Sequence, residues 1–197
     1  MTTAILTIGI ILAAFFLVFY VFFPLGRGAV YVPSTPEKAR QMADLSGVGG
    51  GDKAADLGSG DGRLVIECAR RGAEAHGFEV NPILVLLSRR KIRRAGMQDR
   101  AFIHWKSFWR ARLSPFDVVT IFQGSFVMKR LERKLRKELA PGARVVSDYW
   151  GFPTLVRESI HGTLLCYRIG SPHDDYQLVK RLSSRKLELP WNKKKGR

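Results

Sequence analysis

The segment Asp56-Leu57-Gly58-Ser59-Gly60-Asp61-Gly62-Arg63 decides the fold, because it is a glycine-rich loop between a predicted strand and a predicted helix. The short apolar run 53–57 indicates the strand, and the run 63–71 carries apolar side chains on one helical face. Open parallel sheets bind nucleotides at such loops, at the carboxyl ends of their strands. Glycines at every second position allow positive φ angles and let a ligand lie against the backbone. The segment therefore predicts a nucleotide-type binding site in an α/β domain.

Strand and helix patterns alternate on both sides of this loop. Further strands are predicted at 75–79, 101–105, 116–122 and 143–147, and further helices at 36–46, 81–95 and 126–139. The alternation indicates an α/β domain with a mostly parallel sheet and helices on both faces. Beyond residue 150 the pattern changes: the runs 163–169 and 176–182 predict an antiparallel hairpin at the sheet edge.

The acidic residues around the loop indicate which ligand it binds. Glu79 ends the second predicted strand, 21 residues after Gly58, and a carboxylate there can accept both hydroxyls of an adenosine ribose. A pyrophosphate loop reads G-x-G-x-x-G, whereas here the third glycine comes one place early. Asp56 and Asp61 add negative charge, which repels pyrophosphate but suits a cationic amino-acid end. The predicted ligand is an adenosine joined to a sulfonium amino acid.

These residues resemble the class I S-adenosylmethionine-dependent methyltransferases, whose first motif matches Asp56–Gly62 and whose ribose-binding acid matches Glu79. A narrower resemblance is to the small membrane-associated lysine N-methyltransferases that modify adenine nucleotide translocase and the ATP synthase c subunit in mitochondria. It is carried by Tyr31–Pro36, Asp56–Ile66, Glu79–Pro82, Ser88–Arg89, Phe116–Val119 and Gly142–Val146. The resemblance implies a Rossmann-like sheet that ends in an antiparallel hairpin, S-adenosyl-L-methionine as cofactor, and a lysine of a membrane-associated protein as target.

The same resemblance, with position in the chain, assigns the site residues. The expected cofactor-binding residues are Asp56, Gly58, Ser59, Gly60, Asp61, Gly62, Glu79, Ser107 and Phe108. Ser107 stands where this type of enzyme often has an acid that reaches the adenine. The expected substrate pocket contains Tyr31, Thr35 and Gln123. No catalytic base is assigned, because the target amine can lose its proton to solvent or in a desolvated site. The four histidines have no ligand spacing, so no metal is expected.

The amino terminus carries an uninterrupted apolar stretch. Residues 4–23 contain no charged side chain, and 20 helical residues span ~30 Å, the thickness of a hydrocarbon core. This predicts a single membrane-spanning helix. Because Arg27, Lys38 and Arg40 follow the stretch and no basic side chain precedes it, the globular part is predicted to lie in the cytoplasm. The predicted organisation is an anchor at 1–26, a methyltransferase domain at 27–185 and a basic disordered tail at 186–197.

The chain of 197 residues is strongly basic, with 33 basic and 17 acidic side chains and a net charge of +16. Its 46% hydrophobic content excludes a disordered polyelectrolyte. Most of the excess lies in two runs, 89–112 with nine basic residues and one acidic, and 180–197 with eight and one. Anionic lipid headgroups are the predicted partner of these runs. Nucleic acid competes for the same charge but is disfavoured, because no nucleic-acid motif occurs.

Three functional hypotheses remain open at this stage. The first is a membrane-anchored methyltransferase that acts on protein lysine. The second is a methyltransferase for a lipid or another small membrane substrate. The third is a non-catalytic cofactor-binding or assembly protein with a degenerate site, because Ser107 departs from the family pattern and the match weakens after Ser147.

Overall fold

A computed structural model describes residues 6–16 and 34–170. Helix α1 comprises residues 6–16. The other helices are α2 (Pro36–Leu45), α3 (Arg63–Arg70), α4 (Pro82–Arg94) and α5 (Ser125–Glu138). The strands are β1 (Lys53–Leu57), β2 (Glu74–Glu79), β3 (Ala101–Trp105), β4 (Val118–Ile121), β5 (Arg144–Asp148), β6 (Arg157–His161) and β7 (Leu164–Arg168).

Seven strands form one sheet in the order β3-β2-β1-β4-β5-β7-β6. The first five in chain order pair in parallel, whereas β7 is antiparallel to β5 and β6 is antiparallel to β7. The strand order reverses between β1 and β4, and ligands bind at such a switch point in open α/β sheets. The glycine-rich loop directly follows β1 and therefore lies at the switch point. The predicted α/β class and parallel sheet are confirmed.

The core has one half on each face of the sheet. Helices α2, α3 and α4 cover one face and pack against small strand side chains such as Ala54 and Ala75. Helix α5 covers the other face, where Leu131 and Leu135 lie one turn apart and are completely buried. Burial of each such leucine contributes about 1.5–3 kcal/mol to folding. The chain is thus a three-layer α/β/α domain over the described residues 34–170.

Side-chain caps fix the starts of two helices that flank the site. Thr35 Oγ1 accepts a hydrogen bond from Lys38 N, and Pro36 occupies the first turn of α2. Asn81 Oδ1 accepts from Ile83 N at 2.9 Å, which starts α4. Both helices begin where their capping residues predicted, because the cap signal is local in the sequence.

The terminal hairpin differs from its predicted pairing. The strand predicted at 163–169 exists as β7, but it pairs with the preceding β6 and, on its other edge, with β5. Both edges of β7 are therefore occupied, and the prediction that 176–182 is its hairpin partner was wrong. β6 escaped prediction because it is a largely exposed edge strand, Arg-Glu-Ser-Ile-His, without apolar alternation.

Several predictions fall on residues that lie outside the description: most of the anchor 4–23, the pocket residue Tyr31, the segment 176–182 and the tail 186–197. Among residues 6–16 and 34–170, no helix is long and apolar enough to cross a membrane. The membrane-spanning helix therefore stays a prediction.

Candidate active site

The glycine-rich loop closes against the ends of neighbouring strands. Gly58 and Gly62 have φ angles of +88° and +78°, a conformation that favours glycine. A Cβ atom on Gly62 would lie 2.8 Å from the Cβ of Ser88 in α4, and one on Gly58 would collide with the amide of Gln123. A side chain at either position would have to displace a neighbouring side chain and adopt a strained backbone conformation.

Glu79 holds the loop as well as facing the ligand site. Its Oε2 accepts from Gly60 N at 2.9 Å, and its Oε1 accepts from Val80 N and Asn81 N at 2.7 and 2.8 Å. A carboxylate offers about four acceptor positions, so one remains on Oε2. The sequence predicted that this acid accepts both ribose hydroxyls. In the arrangement described here it has room for one hydroxyl without giving up a loop contact.

Asp56 is a buried acid at the end of β1. Its Oδ1 accepts from Thr120 Oγ1 on β4 at 3.1 Å. Burial disfavours the charged form and raises the pKa of Asp56 from 3.8 to about 7. The nearby carboxylates of Glu79 and Asp61 raise this pKa further, and the Thr120 hydrogen bond opposes them. A cationic ligand group beside Asp56 would relieve this cost.

Asp61, the second acid of the loop, is engaged by cations of the protein itself. Arg63 Nε donates to its Oδ1 at 2.8 Å, and both Arg63 and Lys91 form ion pairs with its Oδ2. Burial raises the pKa of Asp61, but the hydrogen bonds and charges of these two side chains outweigh it and lower the pKa to about 2. Both carboxylate oxygens of Asp61 therefore already have partners within the protein. The contact of Asp61 with the cofactor stays a prediction.

The loop offers few backbone donors to an anion. Gly58 N and Ser59 N both donate to Phe78 O, Gly60 N donates to Glu79, and Gly62 N donates to Ser59 O. Pyrophosphate loops bind their anion through free N–H groups at a helix start. The start of α3 has no side-chain cap, so the carboxylates around the loop are the feature that favours a cationic ligand over a dinucleotide.

The residues expected near the adenine divide between site edge and core. Ser107 follows β3, where its Oγ accepts from Trp109 N and starts a short 3-10 turn. Lys106 N donates to Glu79 O, which places this turn beside the ribose acid. The ring of Phe108, however, is buried in the core cluster that packs on α5. An adenine contact from Ser107 or Phe108 stays a prediction.

Gln123 lies beside the glycine-rich loop, two residues after the end of β4. Its side chain is buried, and Nε2 donates to Leu57 O at 2.8 Å, which aims the amide across the start of the glycine loop. Within residues 6–16 and 34–170, its Oε1 and the Oγ of Ser59 have no hydrogen-bond partner. Buried polar atoms are nearly always paired in proteins, so a free buried acceptor at a ligand site indicates a donor on the ligand.

Thr35 is exposed, and its hydroxyl is used as the α2 cap rather than turned into a pocket. The α2 start is nevertheless close to the loop, because Arg63 donates to Ser34 O. Sequence reasoning missed a second link: Lys38 Nζ lies 3.0 Å from Asp148 Oδ2 at the end of β5, and Thr163 Oγ1 donates to Asp148 Oδ1. The only available signal was a buried-strand acid without an assigned role.

Comparison with known proteins adds to this geometry. Residues 56–159, just over half of the chain, match the family described as the ANTKMT methyltransferase domain. The lysine N-methyltransferase of the ATP synthase c subunit from Xenopus laevis is 34% identical over 72% of this chain and 64% of its own length. The adenine nucleotide translocase lysine N-methyltransferase of Mus musculus is 40% identical over 62% and 55%. The chain thus spans a little over half of the length of these relatives.

Among solved structures, an RNA methyltransferase from Salinibacter ruber in complex with S-adenosyl-L-homocysteine is similar, with a TM-score of 0.66 and 32% identity. The similarity covers 70% of this chain and 92% of that one. The glycine-rich loop, the acids Asp56 and Glu79, and the strand order of the sheet agree with this family match. The chain therefore belongs to the class I S-adenosylmethionine-dependent methyltransferases, in the family of the ANTKMT methyltransferase domain.

Proposed function

We propose that this protein uses S-adenosyl-L-methionine to methylate a lysine side chain of a membrane-associated protein. The observation that carries the proposal is the pair of acids, Asp56 and Glu79, at the ends of adjacent strands beside the glycine-rich loop. Relatives named for lysine methylation of the ATP synthase c subunit and of adenine nucleotide translocase support the choice of substrate.

The residues present fit such a cofactor at both ends. The remaining acceptor position on Glu79 Oε2 suits a ribose hydroxyl, and Asp56 suits the positively charged amino-acid end. The left-handed glycines let the loop pack closely against Gln123 and Ser88. When bound, the cofactor supplies an electrophilic methyl group on its sulfonium.

The chain's own contribution to transfer is positioning. A lysine amine must arrive uncharged and in line with the methyl group, and alignment of this kind is the largest expected contribution to the rate. Gln123 Oε1, a buried acceptor, can take a hydrogen bond from the amine and so orient its lone pair. Desolvation at this buried position lowers the pKa of the incoming lysine, so no general base is required.

The membrane relation is a further part of the proposal. Residues 4–23 would anchor the protein in a bilayer with residues 27–185 on the cytoplasmic side, and the basic runs, including the tail 186–197, would contact anionic headgroups. This arrangement is supported by the apolar sequence of residues 4–23 and by the basic residues that follow it.

Transfer of tritiated methyl from S-adenosylmethionine into membranes of the source cell tests the proposal. The full chain is compared with Glu79→Gln and with the matched variant Glu74→Gln on the same strand. Label in a discrete protein band, present with wild type and Glu74→Gln and lost with Glu79→Gln, is the expected result, and mass spectrometry then locates the methylated lysine. Label found only in the lipid fraction would instead support a methyltransferase that acts on a lipid or another small membrane substrate. No label in any fraction, with folded protein that binds cofactor, would favour the non-catalytic assembly role.

RNA is a second candidate substrate. The observation in its favour is the Salinibacter ruber RNA methyltransferase, together with the net charge of +16. The same labelling reaction, repeated with total RNA of the source cell, decides between the two substrates. Label in RNA that exceeds label in protein would replace the lysine assignment.

A further inference from the structure

Helix α4 presents an unusual face to solvent. Its buried side consists of Leu84, Val85, Ser88 and Ile92, which pack toward β2 and β3. The opposite side carries residues 83, 86, 87, 90 and 94, which form a single stripe at helical spacing. In the first half of this stripe the residues are aliphatic: Ile83, Leu86 and Leu87 are 54%, 69% and 45% exposed. A solvated helix normally places polar residues there.

An exposed indole extends this apolar face. Trp105 ends the edge strand β3, is 65% exposed, and donates from Nε1 to Val80 O. That hydrogen bond holds the ring beside residue 80, two positions before α4 begins at Pro82. Trp105 and the three aliphatic residues therefore form one surface, which we call the α4 face.

The second half of the same stripe is cationic. Arg90 and Arg94 continue the line of Ile83 and Leu87, and Arg93 lies at its side. No acidic residue occurs in α4. Two nearby cations have other roles, since Arg89 donates to Ile103 O and Lys91 pairs with Asp61.

We propose that the α4 face docks on an anionic lipid bilayer. An amphipathic helix that lies in the membrane interface combines aliphatic residues with Lys and Arg on its borders, and Trp prefers the headgroup level. The aliphatic residues favour lipid over RNA, because single-stranded RNA is held by stacking on aromatic or guanidinium planes and Ile83, Leu86 and Leu87 provide none. Because α4 begins at the carboxyl edge of the sheet, docking would hold this edge, which carries the site, beside the membrane surface. The proposal deepens the proposed function but does not rest on methyl transfer.

The test uses the full chain with an environment-sensitive fluorophore at one position. Leu86→Cys carries the nitrobenzoxadiazole label, and Lys129→Cys on the exposed side of α5, across the sheet, is the matched control. Labelling is selective because both native cysteines in the described residues, Cys68 and Cys166, are buried. The vesicles are phosphatidylcholine with or without phosphatidylserine, and nitroxide-labelled lipid serves as a depth-dependent quencher.

The expected result is a blue shift and lipid quenching at position 86 that requires phosphatidylserine and is absent at position 129. Binding through the anchor 4–23 or through the basic tail would not place position 86 among the headgroups, so the contrast between positions 86 and 129 isolates the α4 face. The double variant Arg90→Gln/Arg94→Gln should lower the ratio of docked to undocked label about 30-fold, since each basic residue near an anionic surface contributes about 1 kcal/mol.

Three outcomes would overturn the proposal. The first is no shift at position 86 with anionic vesicles. The second is a shift already present without vesicles, which would mean that another segment of this chain covers the α4 face. The third is a response to single-stranded RNA that exceeds the response to vesicles. Each leaves the methyl-transfer experiment unaffected.

Discussion

Replacement of Glu79 by glutamine tests whether this acid organises the loop. The two carboxylate oxygens accept three backbone N–H groups at 2.7–2.9 Å. A glutamine keeps one oxygen, which can serve Val80 and Asn81, but it then turns its NH₂ group toward Gly60 N. One buried donor loses its acceptor, which costs about 1–3 kcal/mol. For a domain of this size each kcal/mol corresponds to about 2–4 °C, so the melting temperature should fall by about 2–12 °C.

Thermal unfolding of full-length Glu79→Gln, without ligand and with saturating S-adenosylhomocysteine, measures both roles of this residue. The matched variant Glu74→Gln lies on the same strand but is only half-buried, with Lys53 and His76 as its partners, so its change should stay within about 0.5 kcal/mol. The stabilisation by ligand should also shrink in Glu79→Gln, because affinity sets the size of that shift. A melting temperature and ligand shift equal to those of wild type would refute the loop role and the ribose role together.

Three further substitutions have defined outcomes. Because burial raises the pKa of Asp56, the folded state holds an extra proton between about pH 4 and 7, and the stability of the ligand-free protein falls as the pH rises through this window. In thermal scans, Asp56→Asn should remove this dependence of stability on pH. Calorimetry at pH 8 should also show weaker cofactor binding by Asp56→Asn. Urea unfolding should show that Gly62→Ala lowers the free energy of unfolding by about 1–3 kcal/mol, because residue 62 would keep a positive φ and the new Cβ would lie 2.8 Å from the Cβ of the buried Ser88. Gly96→Ala is the control: Gly96 also has a positive φ but open space around it, so only the cost of the backbone conformation should remain. Lys38→Met leaves the buried carboxylate of Asp148 without its ion-pair partner, so the free energy of unfolding in urea should fall by about 1–3 kcal/mol. A decrease of less than about 0.5 kcal/mol would show that this ion pair does not stabilise the fold.

The parallel strands were predictable because burial on both faces produces continuous apolar runs. β4 is the clearest case: all four residues of Val118–Ile121 are buried, and the predicted run 116–122 contains them. β6 illustrates the opposite case, since an edge strand has one exposed side and one unpaired edge and so needs no apolar pattern. The hairpin error follows directly, because the visible run at 163–169 was joined to the next visible run instead of to the polar segment before it.

The site shows the same division between local and distant determinants. The sequence could place Asp56, Glu79 and the glycines near one another because their positions depend on spacing within one β-α-β unit. Thr120 and the Lys38–Asp148 pair were not found, because each depends on residues more than 60 positions apart in the chain that meet only through sheet order. The core position of Phe108 was hidden for a related reason: a residue next to a site loop can point either way.

Charge is distributed unevenly between the site and the rest of the molecule. A chain with a net charge of +16 places three carboxylates, Asp56, Asp61 and Glu79, around one loop. Arg63 and Lys91 neutralise Asp61, so the negative charge that remains unbalanced belongs to Asp56 and Glu79. At neutral pH the buried Asp56 is near the midpoint of its titration, so a cationic ligand binds best to its charged form and drives out the proton it holds. The affinity for a cationic cofactor should therefore fall as the pH drops below about 7. The burial that raises the pKa of Asp56 thus also makes the site selective for a positively charged ligand.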